Sequence, residues 1–244
     1  MYQSVGEYEK ARELHEKSLS IHKEIGDRNG DANSYLNLGA ICRSVGEYEE
    51  AREHLERALA IYITIGDKEG EATGYMNLAN VYASVGKYEK AKGHLEKSLV
   101  MYKEIGDRRG EASSCLSLGT VYQSVGEYEN AREVLEKSVA IQKEIGHRKG
   151  EAVSYVSLGA VCGSIGEYEK AREHLERALA IYKAIGDKEG EAIGYVNLGS
   201  VYRSIGEYEK AKELYEKALV IQKETGDRSG EASSYTNQIG RAHV

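Results

Sequence analysis

The chain has 244 residues, of which 30% are charged and 41% hydrophobic, and its formal net charge at pH 7 is -7. Because an acidic chain without a basic stripe repels phosphates, we expect no nucleic acid partner. No apolar run is long enough to span a membrane, and no charged-then-apolar leader opens the chain. The sequence therefore predicts no membrane partner, no secretion signal and a cytoplasmic location.

Seven residues, VGEYEKA at 5 to 11, return with small changes every forty positions. The aligned repeat is EAxxYxNLGxVYxSxGEYEKAxExLEKALxIxKEIGDRxG. A fixed period of this length predicts a single array of stacked repeats over residues 1 to 237. The complete repeats are 31–70, 71–110, 111–150, 151–190 and 191–230, with incomplete repeats at 1–30 and 231–237.

Each repeat contains two apolar patterns with helical spacing. In repeat 31–70, Tyr35, Leu38 and Cys42 lie three and four positions apart, and a second pattern begins at Tyr48. Proline is absent, and valine and isoleucine do not alternate as they would in strands. Since neither helix can bury its apolar stripe alone, we predict an all-α superhelix of helix-turn-helix hairpins.

Glycine and aspartate mark the predicted helix ends. Gly46 separates the two helices of repeat 31–70, Gly66 ends the second, and Asp67 is placed to cap the next first helix.

Glycines also occur inside the first helices, where each costs about 1 kcal/mol relative to alanine. We interpret them as points of close approach between helices, with alanines of the second helix as small partners. The glycine register contains Gly39, Ala79, Gly119, Gly159 and Gly199, and the alanine register contains Ala51, Ala91, Ala131, Ala171 and Ala211.

This pattern resembles the tetratricopeptide repeat family over residues 1 to 237. The hallmarks are Tyr35, Leu38-Gly39, an aromatic or cysteine at 42, Tyr48, Ala51, Leu55 and Ala58. The forty-residue period and GDRxGEA linkers are similar to the repeats of Pins/LGN-type spindle-orientation adaptors. The resemblance implies a right-handed α-solenoid that binds other proteins.

Both ends of the chain depart from the repeat. Residues 1 to 4 match the end of a first helix, and after YTN the repeat gives way to QIGRAHV. Ile239 to Val244 resembles a translated sequencing adapter, so we predict a non-native tail over 238–244; the alternative is a natural divergent tail. Neither end has a polar capping helix, which predicts a fragment of a longer array that self-associates end to end.

The sequence predicts no enzyme, no cofactor and no metal site. Cys42, Cys115 and Cys162 each replace a tyrosine of the repeat and are expected to be buried apolar residues. No phosphate-binding loop, zinc-protease motif or nucleophile elbow is present.

Two patterns mimic metal sites. Asp27, Asn29 and Asp31 have calcium-loop spacing, but the required turn glycine and closing glutamate are missing. The three histidines of one register are a full repeat apart, so we expect ordinary half-exposed side chains; they are His54, His94 and His174.

Surface charge is confined to the second helix. In repeat 31–70 the stretch 32 to 45 of the first helix has Arg43 as its only charge, and the three following repeats have none there. Opposite its packing stripe the first helix has small neutral residues, a composition that suits a concave face contacted by a guest chain. The alternative is that the side chains of this face are small only because the superhelix is tightly wound.

The resemblance implies that this face binds a peptide or helical segment of a partner protein. It places an amide ladder at Asn37, Asn77 and Asn197, interrupted by Ser117 and Ser157. The remaining predicted contacts are apolar Leu36, Met76, Leu116, Val156 and Val196, polar Asn80, and cationic Arg43 and Arg203. The alternative function is a regulatory or sensor module of a larger protein.

Overall fold

A computed structural model of the chain describes residues 2–239, with side chains described for residues 8–237. Twelve α-helices and no strand lie in this range, so the all-α prediction is confirmed. None of these helices has both the length and the apolar character to cross a membrane. The helices are α1 Tyr2–Ile25, α2 Arg28–Val45, α3 Tyr48–Ile65, α4 Lys68–Ser84, α5 Tyr88–Ile105, α6 Arg108–Ser124, α7 Tyr128–Glu144, α8 Arg148–Ser164, α9 Tyr168–Ile185, α10 Lys188–Ser204, α11 Tyr208–Thr225 and α12 Arg228–Ile239.

The helices form two compact units, residues 1–125 with α1 to α6 and residues 126–244 with α7 to α12. In the amino-terminal unit α2 pairs with α3 and α4 with α5; in the carboxy-terminal unit α8 pairs with α9 and α10 with α11. Within each unit, the second helix of one hairpin also packs on the first helix of the next. The tandem helical hairpins of the prediction are thus confirmed.

Helix ends are set by the predicted glycine and aspartate residues. Gly46 and Gly66 have φ of 87° and 74°, a left-handed conformation that glycine adopts at low cost. The Asp67 carboxylate accepts a hydrogen bond from the Gly70 backbone N–H at 2.9 Å. Because such caps start α2 at Arg28 and α4 at Lys68, each first helix begins four residues before the nearly uncharged stretch, and these first turns contain charged residues such as Lys68, Glu69 and Glu71.

The mid-helix glycines lie where two helices touch, as predicted. A Cβ atom added to Gly39 would lie 2.6 Å from Leu55 Cγ and 3.1 Å from the Ala51 carbonyl oxygen. At Gly159 the corresponding distances are 2.7 Å to Leu175 Cγ and 3.3 Å to the Ala171 carbonyl oxygen. The prediction that alanines are the main partners of these glycines was wrong. The closest contact is the side chain of the buried leucine, and the alanine contributes only its backbone carbonyl oxygen.

A second row of glycines, which the sequence analysis did not interpret, lies in the first turn of the first helices. A Cβ on Gly70 would lie 2.2 Å from the Tyr62 ring, and one on Gly190 would lie 2.2 Å from the Tyr182 ring. The last turn of each second helix thus fits under the next first helix. The recurrence of this glycine every forty residues was the sequence signal that could have revealed this close contact.

The amino-terminal end differs from its prediction. Residues 1 to 4 were expected to end a separate first helix, but α1 is continuous from Tyr2 to Ile25. Only four described residues precede Gly6, too few to form a helix that could pack and fix a turn there.

At the other end, Gln238 and Ile239 continue α12 as helix. The other residues of the predicted non-native tail, 240 to 244, lie outside the described residues, so the tail stays a prediction.

The three histidines of one register stack on tyrosine rings. His54 lies 5.9 Å from the Tyr35 ring centroid and His174 lies 5.8 Å from that of Tyr155, while His94 stacks on both Tyr75 and Tyr82. Their Nδ1 atoms are buried without a hydrogen-bond partner in the described chain. Burial, and then the cations Arg57, Lys97 and Arg177, lower the pKa of these histidines, while nearby glutamates oppose the shift.

Gly159→Ala should lower the free energy of unfolding by about 1 to 3 kcal/mol, because the new methyl group collides with Leu175. Gly163→Ala is the matched control on the same helix, since a Cβ there meets nothing within 4 Å. It should raise stability by about 0.5 to 1 kcal/mol through helix propensity. Urea unfolding followed by far-ultraviolet circular dichroism measures both, and equal shifts for the two variants would refute the close-contact interpretation.

Stability should fall as pH is lowered from 7.5 to 5.5. The histidine pKa values are lower in the folded chain than the ordinary 6.5, so the unfolded chain takes up protons first as pH decreases through that value. Melting temperature measured across this range should show the loss. In the triple variant with His54, His94 and His174 changed to leucine, the residue that the repeat has at 14 and 214, the slope should be flatter; an unchanged slope would assign the loss to other groups.

Candidate peptide-binding surface

The first-helix surface is the face of small residues on the first helices. All its side chains are exposed or half-buried, so none belongs to the core of its unit. In the amino-terminal unit it comprises Asn33, Asn37, Ala40 and Ser44 of α2, Thr73, Asn77, Asn80 and Ser84 of α4, and Ser113, Ser117, Thr120 and Ser124 of α6. In the carboxy-terminal unit it comprises Val153, Ser157, Ala160 and Ser164 of α8, and Ile193, Asn197, Ser200 and Ser204 of α10.

The polar side chains of this surface donate hydrogen bonds to their own helices. The Asn77 amide donates to the Thr73 carbonyl oxygen and the Asn197 amide to the Ile193 carbonyl oxygen, both at 2.9 Å. Most of the serine and threonine hydroxyl groups donate in the same way to the residue four positions earlier. The side chains therefore present mainly acceptor oxygens outward, which suits a ligand that donates N–H groups.

A cleft of about 240 Å³ opens on this surface in the carboxy-terminal unit, between α8 and α10. Small side chains line the cleft, namely Ala160 and Ser164 of α8 on one side and Asn197 and Ser200 of α10 on the other. The buried side chain of Leu175 lies at its floor beside Gly159 and Val201, with Tyr168 at one end. Leu175 and Tyr168 occupy the repeat positions of the hallmark residues Leu55 and Tyr48.

A second cleft, of about 230 Å³, lies in the amino-terminal unit between the first turns of α2 and α4. The Tyr62 side chain lines this cleft, and its hydroxyl group donates a hydrogen bond to Asn33 Oδ1 at 2.8 Å. Leu36 and Thr73 also line it, together with the acidic Asp67 and Glu69, which the sequence analysis did not connect with this surface.

The three asparagines predicted as a ladder differ in their surroundings. Asn37 is exposed, whereas Asn77 and Asn197, like the predicted contact Asn80, are half-buried. Asn197 lines the cleft between α8 and α10.

The predicted apolar contacts are shared with the core. Leu36 packs against the buried cluster around Tyr35 and Tyr62, and Val156 and Val196 pack against clusters of the carboxy-terminal unit. Met76 and Leu116 are half-buried as well. A bound chain could therefore cover only part of each side chain.

The two predicted cations differ in their surroundings. Arg203 Nη1 lies 3.5 Å from Asn237 Oδ1. Arg43 is half-buried, and its Nε atom is buried without a hydrogen-bond partner among the described residues.

The residues with metal-like spacing serve structural roles. The Asp27 carboxylate caps α2 through the Gly30 N–H at 3.0 Å and contacts His22 at 2.9 Å, and Asp31 is buried beside Arg28.

The three cysteines are buried, as predicted. The Cys42 sulfur atom lies within 4.8 Å of Glu47 and Glu50 oxygen atoms, but the Arg12 guanidinium contacts both Cys42 and Glu47. Burial raises the pKa of the Cys42 thiol, which disfavours the thiolate that a metal needs.

Comparison with known families gave matches along nearly the whole chain. One model described as tetratricopeptide repeat matches residues 1–64, 70–144 and 113–184, and a second with the same description matches residues 192–224. Among curated proteins the comparison found no match.

Solved structures share the fold at low identity. BtubC (BKLC) from P. vanneervenii is 20% identical over 90% of this chain and 92% of its own, with a TM-score of 0.78. Aspartyl phosphate phosphatase F from Bacillus subtilis is 15% identical over 90% of this chain and 58% of its own, with a TM-score of 0.75. A signal transduction ATPase with a tetratricopeptide repeat sensor, from Pyrococcus horikoshii, is 24% identical over 91% of this chain and 33% of its own, with a TM-score of 0.76.

Proposed function

Because the chain belongs to the tetratricopeptide repeat family, we propose that it is a non-enzymatic interaction scaffold whose first-helix surface binds a peptide segment of another protein. The observation that carries the proposal is the composition of this surface. An ordinary solvated helix face would be rich in lysine and glutamate, whereas this one is open, small and almost uncharged in both units.

The chemistry of the surface narrows the ligand class. Outward-facing acceptor oxygens favour a segment with unpaired backbone N–H groups, such as an extended peptide. An acidic side chain of that segment would pair with Arg43.

Each amide contact contributes a net of about 1 kcal/mol, so the one or two that either unit offers give weak binding by themselves. With partial burial of apolar residues of the same unit added, such as Val156 and Val196, we expect micromolar affinity.

The second candidate function is a regulatory or sensor module of a larger protein. It is favoured by the similarity to the sensor-containing ATPase, of which this chain covers 33%. A longer native sequence containing a catalytic or effector domain would support this function. The peptide-binding surface would then serve as the sensor.

We expect the scaffold to act in the cytoplasm without nucleic acid or membrane partners. End-to-end self-association remains part of the proposal, because Leu14, Ile21 and Ile25 on α1 are exposed at 58%, 56% and 69%.

The double variant Asn77→Ala and Asn197→Ala should bind peptide about fivefold more weakly, because it removes one acceptor group, worth about 1 kcal/mol, from the surface of each unit. The probe is a set of peptides selected on the wild-type chain from a random library displayed on phage, and fluorescence anisotropy measures affinity. Helical content should not change, since alanine is the better helix former.

The matched control for this experiment is Asn130→Ala, the same change on the exposed face of second helix α7. Peptides that bind the double variant as tightly as the wild type would show that the asparagines are not contact residues.

A further inference from the structure

The cleft between α8 and α10 is lined by residues that recur, with one large exception, between α2 and α4 of the amino-terminal unit. Eight of its ten lining residues are identical 120 positions earlier in the chain. The two that differ are Ser200, where the earlier repeat has Asn80, and Gly163, where it has Arg43. The glycine is the larger change, because it removes a whole side chain and its positive charge.

An arginine at this repeat position reaches across to the next first helix. Arg203 occupies the position of Gly163 one repeat later, and its Nη1 atom donates to Oδ1 of Asn237 on α12 at 3.5 Å. Asn237 in turn occupies the position of Asn197. At Gly163 no side chain can make this contact, and the cleft stays open beside Asn197.

The open cleft offers hydrogen-bond acceptors. The hydroxyl groups of Ser164 and Ser204 donate to carbonyl oxygens of their own helices, both at 2.9 Å. The Asn197 amide also donates to its own helix, and its Oδ1 atom accepts no hydrogen bond from the described residues. None of the described residues that line the cleft is charged. A ligand group that fits here must therefore supply the donors.

The remaining surface of the cleft is apolar and aromatic, with buried Leu175 at the floor and Tyr168 at one end. A guanidinium group matches this combination, because it is planar, rich in N–H donors, weakly hydrated and able to stack on an aromatic ring. Its methylene stem can cover apolar surface. The volume of about 240 Å³ lies below the range of about 300 to 1,000 Å³ for small-molecule sites, which suits a single side chain. The chain's net charge of -7 attracts a cation at long range.

We propose that the cleft between α8 and α10 binds an arginine side chain of the guest peptide, in the place where other repeats have an arginine of their own. This inference rests on the proposed function, since it names the anchoring residue of the peptide on the first-helix surface. The guanidinium donates to Oδ1 of Asn197, as Arg203 does to Asn237, and lies against the Tyr168 ring. Glycine at position 163 thus determines specificity by leaving room for the guest residue.

The test selects peptides from a random library displayed on phage, in parallel on the wild type and on the Gly163→Arg variant. Peptides selected on the wild type should be enriched in arginine at one position. Those selected on the variant should not, because its own arginine would reach Asn197. In a synthetic fluorescein-labelled peptide from the wild-type selection, replacing this arginine by citrulline, a neutral isostere, should weaken binding about tenfold in fluorescence anisotropy. The Gly163→Arg variant should bind the arginine peptide about tenfold more weakly than the wild type does.

The matched control is Gly93→Arg, the same change at an exposed glycine of second helix α5, outside the first-helix surface. A Cβ atom meets nothing within 4 Å at either Gly163 or Gly93, so both variants should fold. Their helical content should be unchanged or raised, since arginine is the better helix former. Gly93→Arg should leave the affinity for the arginine peptide unchanged, which separates occupation of the cleft from a general effect of added positive charge.

Equal affinity of the wild type and Gly163→Arg for the arginine peptide would overturn the inference, as would an equal loss in Gly93→Arg. Selected peptides that show no arginine preference, but that bind the Asn77→Ala, Asn197→Ala variant more weakly, would overturn this inference and leave the proposed function standing. A library that yields no binding peptide would contradict the proposed function and this inference together.

Discussion

The fold of each unit depends on helices that approach one another where a side chain is missing. At Gly39 and Gly159 the backbone of a first helix rests on a leucine of its partner helix, with no space for a single added carbon atom. The glycine in the first turn allows the same approach between successive hairpins, as at Gly70 over Tyr62. Close contact on these sides fixes which face of each first helix stays open.

The small polar residues of the first-helix surface lie on the open face of each first helix. Serine and asparagine side chains that bond back to their own helix do not need a partner to be stable, and they still offer oxygen atoms to a ligand. Charged side chains lie mainly on the second helices, where ion pairs such as Arg52 with Glu49 and Glu56 form along the exposed surface. Position within the repeat thus separates the small, nearly uncharged first-helix surface from the charged surface of the second helices.

In a chain that repeats so closely, a local departure from the repeat changes one surface and leaves the packing intact. The cysteines show the neutral case, since Cys42 and Cys162 are buried at a position where Tyr82 is buried as well. Gly93 shows the opposite case, because it replaces a surface glutamate of the other complete repeats and lines the open space beside Tyr75. Specificity of a repeat scaffold is therefore expected at such departures more than at the shared residues.

The sequence alone determined the helical hairpins, their turns, the Asp67 cap and the family, because forty-residue periodicity, glycine and aspartate act locally. It also placed Asn77 and Asn197 opposite the packing stripe of their own helices, since helical spacing fixes the direction of a side chain relative to its helix. Tertiary structure alone decided that Gly39 meets the Leu55 side chain more closely than it meets Ala51. Only the folded chain showed the open space beside Tyr75, because it is lined by side chains of both α4 and α5, which no single helical pattern relates.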